Sequence, residues 1–170
     1  MAAGSGSRLL PASISTNKHL AILYDKPMIY YPLSVFMLAG IKNILIISNK
    51  EHMPMFKRLL GNGSNLGINI IYEIQLEPNG IAEAFIIGEN FIGDDDVCLM
   101  LGDNIFHGND FISNVIQAKE NLNLGFSSIF GVSVQNPENF GVIEFDKKNN
   151  IINISEKPKN PKSNFIVSGL

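Results

Sequence analysis

Cysteine is nearly absent from this 170-residue chain: Cys98 stands alone, so no disulfide closes within it and no zinc-type cysteine spacing exists. That usage fits a reducing, cytoplasmic setting. Long hydrophobic runs are also lacking. The longest mostly apolar stretch, from Met28 to Ile41, falls short of the ~20 residues of a membrane helix and contains Pro32. No long apolar segment directly follows the first charge, Arg8, which argues against a secretory signal. Positive charge is not in excess, because 13 Lys and Arg stand against 16 Asp and Glu for a net charge of −3. Indiscriminate nucleic-acid binding, which needs a broad positive field, is therefore not expected. Repeats, low-complexity tracts and long Pro/Gly/Ser linkers are missing too, so the chain reads as one continuous unit. What remains is 45% hydrophobic residues, enough for one ordinary core.

Periodicity and breakers predict alternating elements through residue 121. A helix is expected over 27–39, with a proline near its first turn and Gly40 to stop it. A strand over 43–48 follows, buried on both faces to judge by Ile44-Leu45-Ile46-Ile47, then a helix over 53–60 ending at Gly61. A strand over 68–75, a helix over 82–90, an apolar strand over 97–101 and a helix over 110–121 complete the series. This alternation points to an α/β layered domain with a largely parallel sheet. Three further strands, over 127–134, 141–146 and 151–155, suggest an antiparallel ribbon near the C-terminus. In such folds ligands lie at the carboxyl ends of parallel strands, which selects the loops holding Gly4, following Gln75 and following Leu101.

Gly4-Ser5-Gly6-Ser7-Arg8 combines two glycines that let backbone amides approach an anion, two hydroxyls and a guanidinium. Lys18 follows, and no carboxylate occurs from Met1 to Tyr24, so the two cations form a local positive patch suited to a polyphosphate. A flexible polar segment with solvated cations is an equal alternative from residue types alone. The dinucleotide fingerprint is excluded, since Leu9 stands where its third glycine would be. A Walker-type loop is excluded because Lys18 precedes His19 rather than Ser or Thr. Asp103, after Leu99-Met100-Leu101-Gly102, would be a hard oxygen at a strand's carboxyl end, able to hold Mg²⁺ against a triphosphate, or simply a turn aspartate. Glu156-Lys157 alone reads as solvated strand-edge charge. His52, His107 and the run Asp94-Asp95-Asp96 show no ligand spacing, Cys98 reads as a core residue, and Met53, Met55, Phe56 and Leu59 read as core or interface.

Taken in order, these segments resemble the sugar-1-phosphate nucleotidyltransferases, and most closely the glucose-1-phosphate thymidylyltransferases. That family opens with Gly-Gly-Ser-Gly-Thr-Arg-Leu, against Ala3-Gly4-Ser5-Gly6-Ser7-Arg8-Leu9 here, and its catalytic lysine lies where Lys18 does. Tyr24-Asp25-Lys26-Pro27-Met28-Ile29-Tyr30-Tyr31-Pro32-Leu33-Ser34 is similar almost letter for letter, and Leu101-Gly102-Asp103-Asn104-Ile105-Phe106 and the segment from Asn164 to Leu170 continue the likeness. The resemblance implies a Rossmann-like nucleotide-diphospho-sugar transferase fold, three-layered around a mixed, mostly parallel sheet. It also implies transfer of a nucleotidyl group from dTTP to glucose 1-phosphate, yielding dTDP-glucose for deoxysugar synthesis and releasing pyrophosphate.

By the same carry-over, the amides around Gly4, Ser5, Gly6 and Ser7 cradle the triphosphate, and Arg8 neutralises the departing pyrophosphate. Lys18 binds phosphates in the transition state, and Asp103 holds Mg²⁺. Gln75 and Gly80 read the thymine edge, a task that suits an amide able both to donate and to accept. Gly141, Glu156 and Lys157 contact the sugar phosphate. The full-length form is expected to be a homo-oligomer, a homotetramer in the family. This chain departs from the family pattern at Ala3, Ser7, His19, Ile22 and Phe140, none of which removes a charged catalytic group. It is expected to be a partial nucleotidyltransferase domain over 1–170, lacking the family's first strand and the C-terminal part that brings a second metal-binding aspartate. Rival readings are the same chemistry with UTP or another hexose phosphate, a noncatalytic nucleotide-binding or partner-pairing remnant, and an unrelated α/β domain.

Overall fold

In the computed structural model, residues 1–4, 6, 9–11 and 16–170 are described. The opening phosphate-loop residues Ser5, Ser7 and Arg8 lie outside that set. A short hairpin of β1 (Ile22–Leu23) and β2 (Lys26–Pro27) comes first, turned at Tyr24 with a positive φ of 62°. It was not foreseen, and it explains why the helix expected from Pro27 starts only at Tyr30: Pro27 is engaged opposite Ile22 in the hairpin. Helix α1 (Tyr30–Leu38) is apolar around most of its circumference, the mark of a helix packed on more than one side. Leu33 packs in a cluster with Ile44, Ile46, Phe56 and Ile70, whereas Val35 and Ala39 pack with Met100 and Val115.

β3 (Asn43–Ser48) and β4 (Asn69–Ile74) pair in parallel, Ile44 opposite Ile70 and Ile46 opposite Tyr72. The connection runs through α2 (Met53–Leu60), which has a proline in its first turn, where a missing N–H costs nothing, and ends at Gly61. Met53, Phe56 and Leu60 are its buried residues, at spacings of three and four, while Met55 and Leu59 face solvent rather than the core. The helix expected over 82–90 is divided into α3 (Glu83–Ile87) and α4 (Glu89–Ile92) at Gly88. A Cβ at Gly88 would stand 2.9 Å from the Ala84 carbonyl and 3.0 Å from Leu45 Cδ2. Glycine therefore lets this backbone approach β3.

The strand expected over 97–101 forms no ladder among the described residues. Its residues make single bonds to different segments: Leu101 N donates to Gly169 O at 3.0 Å, and Met100 O accepts from Met1 N at 2.9 Å. Met1, Ala2, Ile29, Leu33, Ile46 and Met100 line a small apolar cleft there. Cys98 is correspondingly exposed, not a core residue. Beyond α5 (Phe111–Leu122), whose Val115 is buried, an antiparallel sheet has the order β5-β8-β6-β7. Its strands are β5 (Gly131–Ser133), β6 (Gly141–Phe145), β7 (Ile151–Glu156) and β8 (Phe165–Val167). The strand expected over 127–134 is thus reduced to β5. The unforeseen β8 sits between β5 and β6, and the chain after it runs to the Asp103 loop, where Asn104 Nδ2 donates to Ser168 O.

Candidate functional site

Lys18 opens a single 3₁₀ turn (Lys18–Leu20) capped by Asn17, whose side-chain oxygen accepts from His19 N at 2.9 Å. Ile29 N donates to His19 O at 2.8 Å and Met28 N to Ala21 O at 3.0 Å, so the hairpin and the start of α1 fix this turn. Lys18 Nζ reaches the Asp103 carboxylate, an ion pair spanning 85 residues of sequence. The side chains are 21% and 30% exposed, so the pair is half-buried and still reached by solvent. Burial alone would raise the Asp103 carboxyl, but the hydrogen bond from Lys18 and its positive charge hold it below its ordinary value. Gly4 lies against the same lysine: a Cβ there would stand 3.3 Å from Lys18 Cε and 3.4 Å from its Nζ.

His19 is 2% exposed, with Nδ1 2.6 Å from Asn17 Oδ1. Burial pushes its pKa down to about 4, Asp103 opposing and Lys18 reinforcing the shift, so the ring is neutral near pH 7. It packs against Gly102, where a Cβ would lie 2.9 Å from His19 Cδ2. Ala2 joins this corner to β3, donating to Ile47 O at 2.7 Å while its carbonyl accepts from Ser48 Oγ at 3.0 Å. Asn17, the cap of the lysine turn, was missed in the sequence. An asparagine immediately before Lys18 was the available signal.

Gln75 closes the β4 end, where its backbone N donates to Ser48 O at 2.9 Å. Its side chain and Gly80 come together, as Nε2 lies 3.3 Å from Gly80 O. Gly141, Glu156 and Lys157 also meet. Gly141 is opposite Glu156 in the β6–β7 register, and Lys157 Nζ lies 3.0 Å from Glu156 Oε1, both side chains well exposed. Lys157 N donates to Phe140 O at 2.9 Å, which turns the chain at this corner. His107 and Asp94-Asp95-Asp96 are exposed, and His52 is tied to Asn49, its Nδ1 2.8 Å from Asn49 Oδ1.

A family profile described as "Nucleotidyl transferase" matches residues 1–170. The chain belongs to the nucleotidyl transferase family. It is 52% identical over 170 residues to the glucose-1-phosphate thymidylyltransferase of Neisseria meningitidis, covering all of this chain and 58% of that protein. The Xanthomonas campestris protein of the same name is 47% identical, with 57% of its length covered. Among solved structures, one described as a glucose-1-phosphate thymidylyltransferase from Bacillus anthracis in complex with sucrose matches with a TM-score of 0.86 and 39% identity, over 99% of this chain and 67% of that one. A UTP-bound UGPase from Acinetobacter baumannii matches with a TM-score of 0.82 at 21% identity, which bears on the fold alone. The chain thus spans somewhat more than half the length of the curated relatives it matches, and its α/β architecture is that of a nucleotidyltransferase.

The donor set around this nucleotidyl transferase corner also bears on a metal. Among the described residues no three His, Cys, Asp or Glu side chains converge. Asp103 is a single hard-oxygen donor, 30% exposed and paired with Lys18. A lone carboxylate of this kind can contribute to a divalent-cation site that waters and substrate phosphates complete. No helix among the described residues is long and apolar enough to cross a membrane.

Proposed function

We propose that residues 1–170 are part of a nucleotidyltransferase domain that transfers the thymidylyl group of dTTP to glucose 1-phosphate, forming dTDP-glucose and pyrophosphate, in the cytoplasm and within a homo-oligomer, a tetramer as in the family. The observation that carries this reading is the Lys18–Asp103 pair, held half-buried beside Gly4, two residues on from the Ala2 that bonds Ile47 and Ser48 at the end of β3. Opposite charges still reached by solvent accommodate a triphosphate on the lysine and a cation on the carboxylate. The names of the relatives support dTTP and glucose 1-phosphate as the substrates.

The nucleophile is a phosphate oxygen of the sugar phosphate, already anionic near neutral pH, so no protein base has to remove a proton. It forms a bond to the α-phosphorus while the bond from that phosphorus to the bridging oxygen of the β-phosphate breaks, and pyrophosphate leaves with the electron pair. Catalysis is then positioning and charge stabilisation. Lys18 exchanges Asp103 for phosphate oxygens, Arg8 takes the departing pyrophosphate, and the backbone at Gly4, Ser5, Gly6 and Ser7 cradles the triphosphate. Asp103 holds Mg²⁺, which when bound neutralises charge on the phosphoryl oxygens. Gln75 and Gly80 hold the base. Glu156 receives sugar hydroxyls, Lys157 the sugar's phosphate, and Gly141 makes a further contact with the sugar phosphate.

The test is pyrophosphate release from dTTP, glucose 1-phosphate and Mg²⁺, with Lys18→Ala and Asp103→Asn alongside. Dependence on both substrates, and a loss of at least about a hundredfold in each variant, is expected for groups bonded to charged phosphates. Near-normal rates in either variant would remove that residue from the mechanism, and much faster turnover of UTP than of dTTP would overturn the base assignment.

A further inference from the structure

The base side of this site carries more information than the pairing of Gln75 with Gly80. Gln75 is 5% exposed, and its Nε2 lies 2.5 Å from Glu83 Oε2 as well as 3.3 Å from Gly80 O. A carboxylate and a backbone carbonyl only accept hydrogen bonds, so the end of the amide that faces both is its NH₂. Both amide hydrogens are thereby used. The other end, Oε1, receives no hydrogen bond from any described residue. Glu83 is itself held in place, since Asn79 Nδ2 donates to its Oε1 at 3.0 Å. The hydrogen bonds from Asn79 and Gln75 keep its carboxyl below the ordinary glutamate value, hence ionised and purely accepting near neutral pH.

We infer that Glu83 is a specificity-positioning residue. By engaging Gln75 Nε2 it fixes the amide with Oε1 as the group presented to the nucleotide, selecting a base that donates from its ring nitrogen. Thymine and uracil do so through N3–H, whereas cytosine N3 carries a lone pair that would oppose Oε1. An unanchored glutamine turns its amide over and serves either edge. The anchored one does not, which narrows the donate-and-accept role expected from the sequence to acceptance alone. Glu83 reaches the base only through Gln75, and the inference rests on the proposal that Gln75 is a base contact.

The experiment compares the affinity of the full chain for dTTP and dCTP, each with Mg²⁺, by calorimetry in the parent protein, Glu83→Gln and Gln75→Ala. Glu83→Gln keeps the shape of the side chain but either donates or accepts, so Gln75 is released to turn. The parent is expected to favour dTTP by about tenfold or more, the scale of one well-placed hydrogen bond. Glu83→Gln should bring the two affinities together by weakening dTTP and strengthening dCTP. A ratio unchanged in Glu83→Gln, or a parallel fall of both affinities, would overturn the inference. Gln75→Ala should abolish the preference. If dTTP affinity and the ratio survive that change, or if the parent binds neither nucleotide, the base-contact reading fails first and the inference with it. Without nucleotide, exchange of the Gln75 side-chain amide hydrogens should be slow in the parent and fast in Glu83→Ala; equal rates would overturn the anchor.

Discussion

Lowering the pH from 7 to 5 protonates a histidine in the unfolded chain but not His19 in the folded one, where burial moves its pKa from 6.5 to about 4. Between those values the unfolded state binds more protons than the native state, so stability must fall as pH falls. For this one group the loss is about 2 kcal/mol by pH 5 and about 3 kcal/mol once pH drops below the folded value, since each tenfold difference in proton affinity is worth ~1.4 kcal/mol. The window separates His19 from the carboxylates. Asp103, Glu83 and Glu144 have lowered values, so they add stability above their unfolded values, and this is lost only as pH falls through the more acidic range below about 4.5. Urea unfolding at pH 7, 6 and 5 measures the slope, and about 2 kcal/mol corresponds to roughly 1 M in the midpoint. His19→Gln, which cannot titrate, should flatten the curve between pH 6.5 and 5 whatever its stability at pH 7. An equally steep curve in His19→Gln would refute the argument that burial of this ring is the cause.

Other outcomes follow from packing and backbone conformation. Phe56 is fully buried between α2 and the β3–β4 pair, so Phe56→Ala should lower unfolding stability by about 3–5 kcal/mol, measured by urea titration at pH 7. Gly63 has φ +82°, and a Cβ there would come within 2.8 Å of the Ile68 carbonyl and of Ile70 Cγ1. Gly63→Ala should therefore destabilise by more than the ~1 kcal/mol typical of an ordinary substitution, with a drop in melting temperature as readout. Gly102→Ala would push a methyl to 2.9 Å from His19 Cδ2 and 3.2 Å from Met1 O; it should shift the Asp103 loop and weaken dTTP binding more than it lowers the melting temperature.

The elements read most accurately from the sequence are those whose local pattern and tertiary surroundings agree. β3 and α2 begin and end as expected because an Ile-rich run is buried on β4 and α2, and because Gly61 can adopt the positive φ that stops the helix. The segment 97–101 has an equally apolar pattern but no ladder beside it among the described residues, since a run of apolar residues states a preference for burial and says nothing of a partner's backbone. β7 teaches the same lesson: Ile151, Ile152 and Ile154 remain exposed on a strand at the edge of its sheet, paired with β6. At the site, Lys18 and Asp103 were identified separately and the fold joins them across 85 residues. Gln75 with Gly80, and Gly141 with Glu156 and Lys157, are also brought together as groups. Glu83 was not seen. It stands in the first turn of α3, where a carboxylate suits the helix dipole, and its contact with Gln75 depends on a hydrogen bond that no local pattern encodes.

The central claim, that Lys18 and Asp103 form one phosphate- and cation-binding pair, is tested most directly by dTTP affinity with and without Mg²⁺. In EDTA, Lys18→Ala should weaken dTTP binding by about ten- to a hundredfold, the worth of a hydrogen bond to a charged group, whereas Asp103→Asn should strengthen it by releasing the lysine and removing a negative charge. Adding Mg²⁺ should tighten binding to the parent and leave Asp103→Asn nearly unchanged. Equal weakening by both substitutions in EDTA, or an undiminished Mg²⁺ effect in Asp103→Asn, would contradict the account.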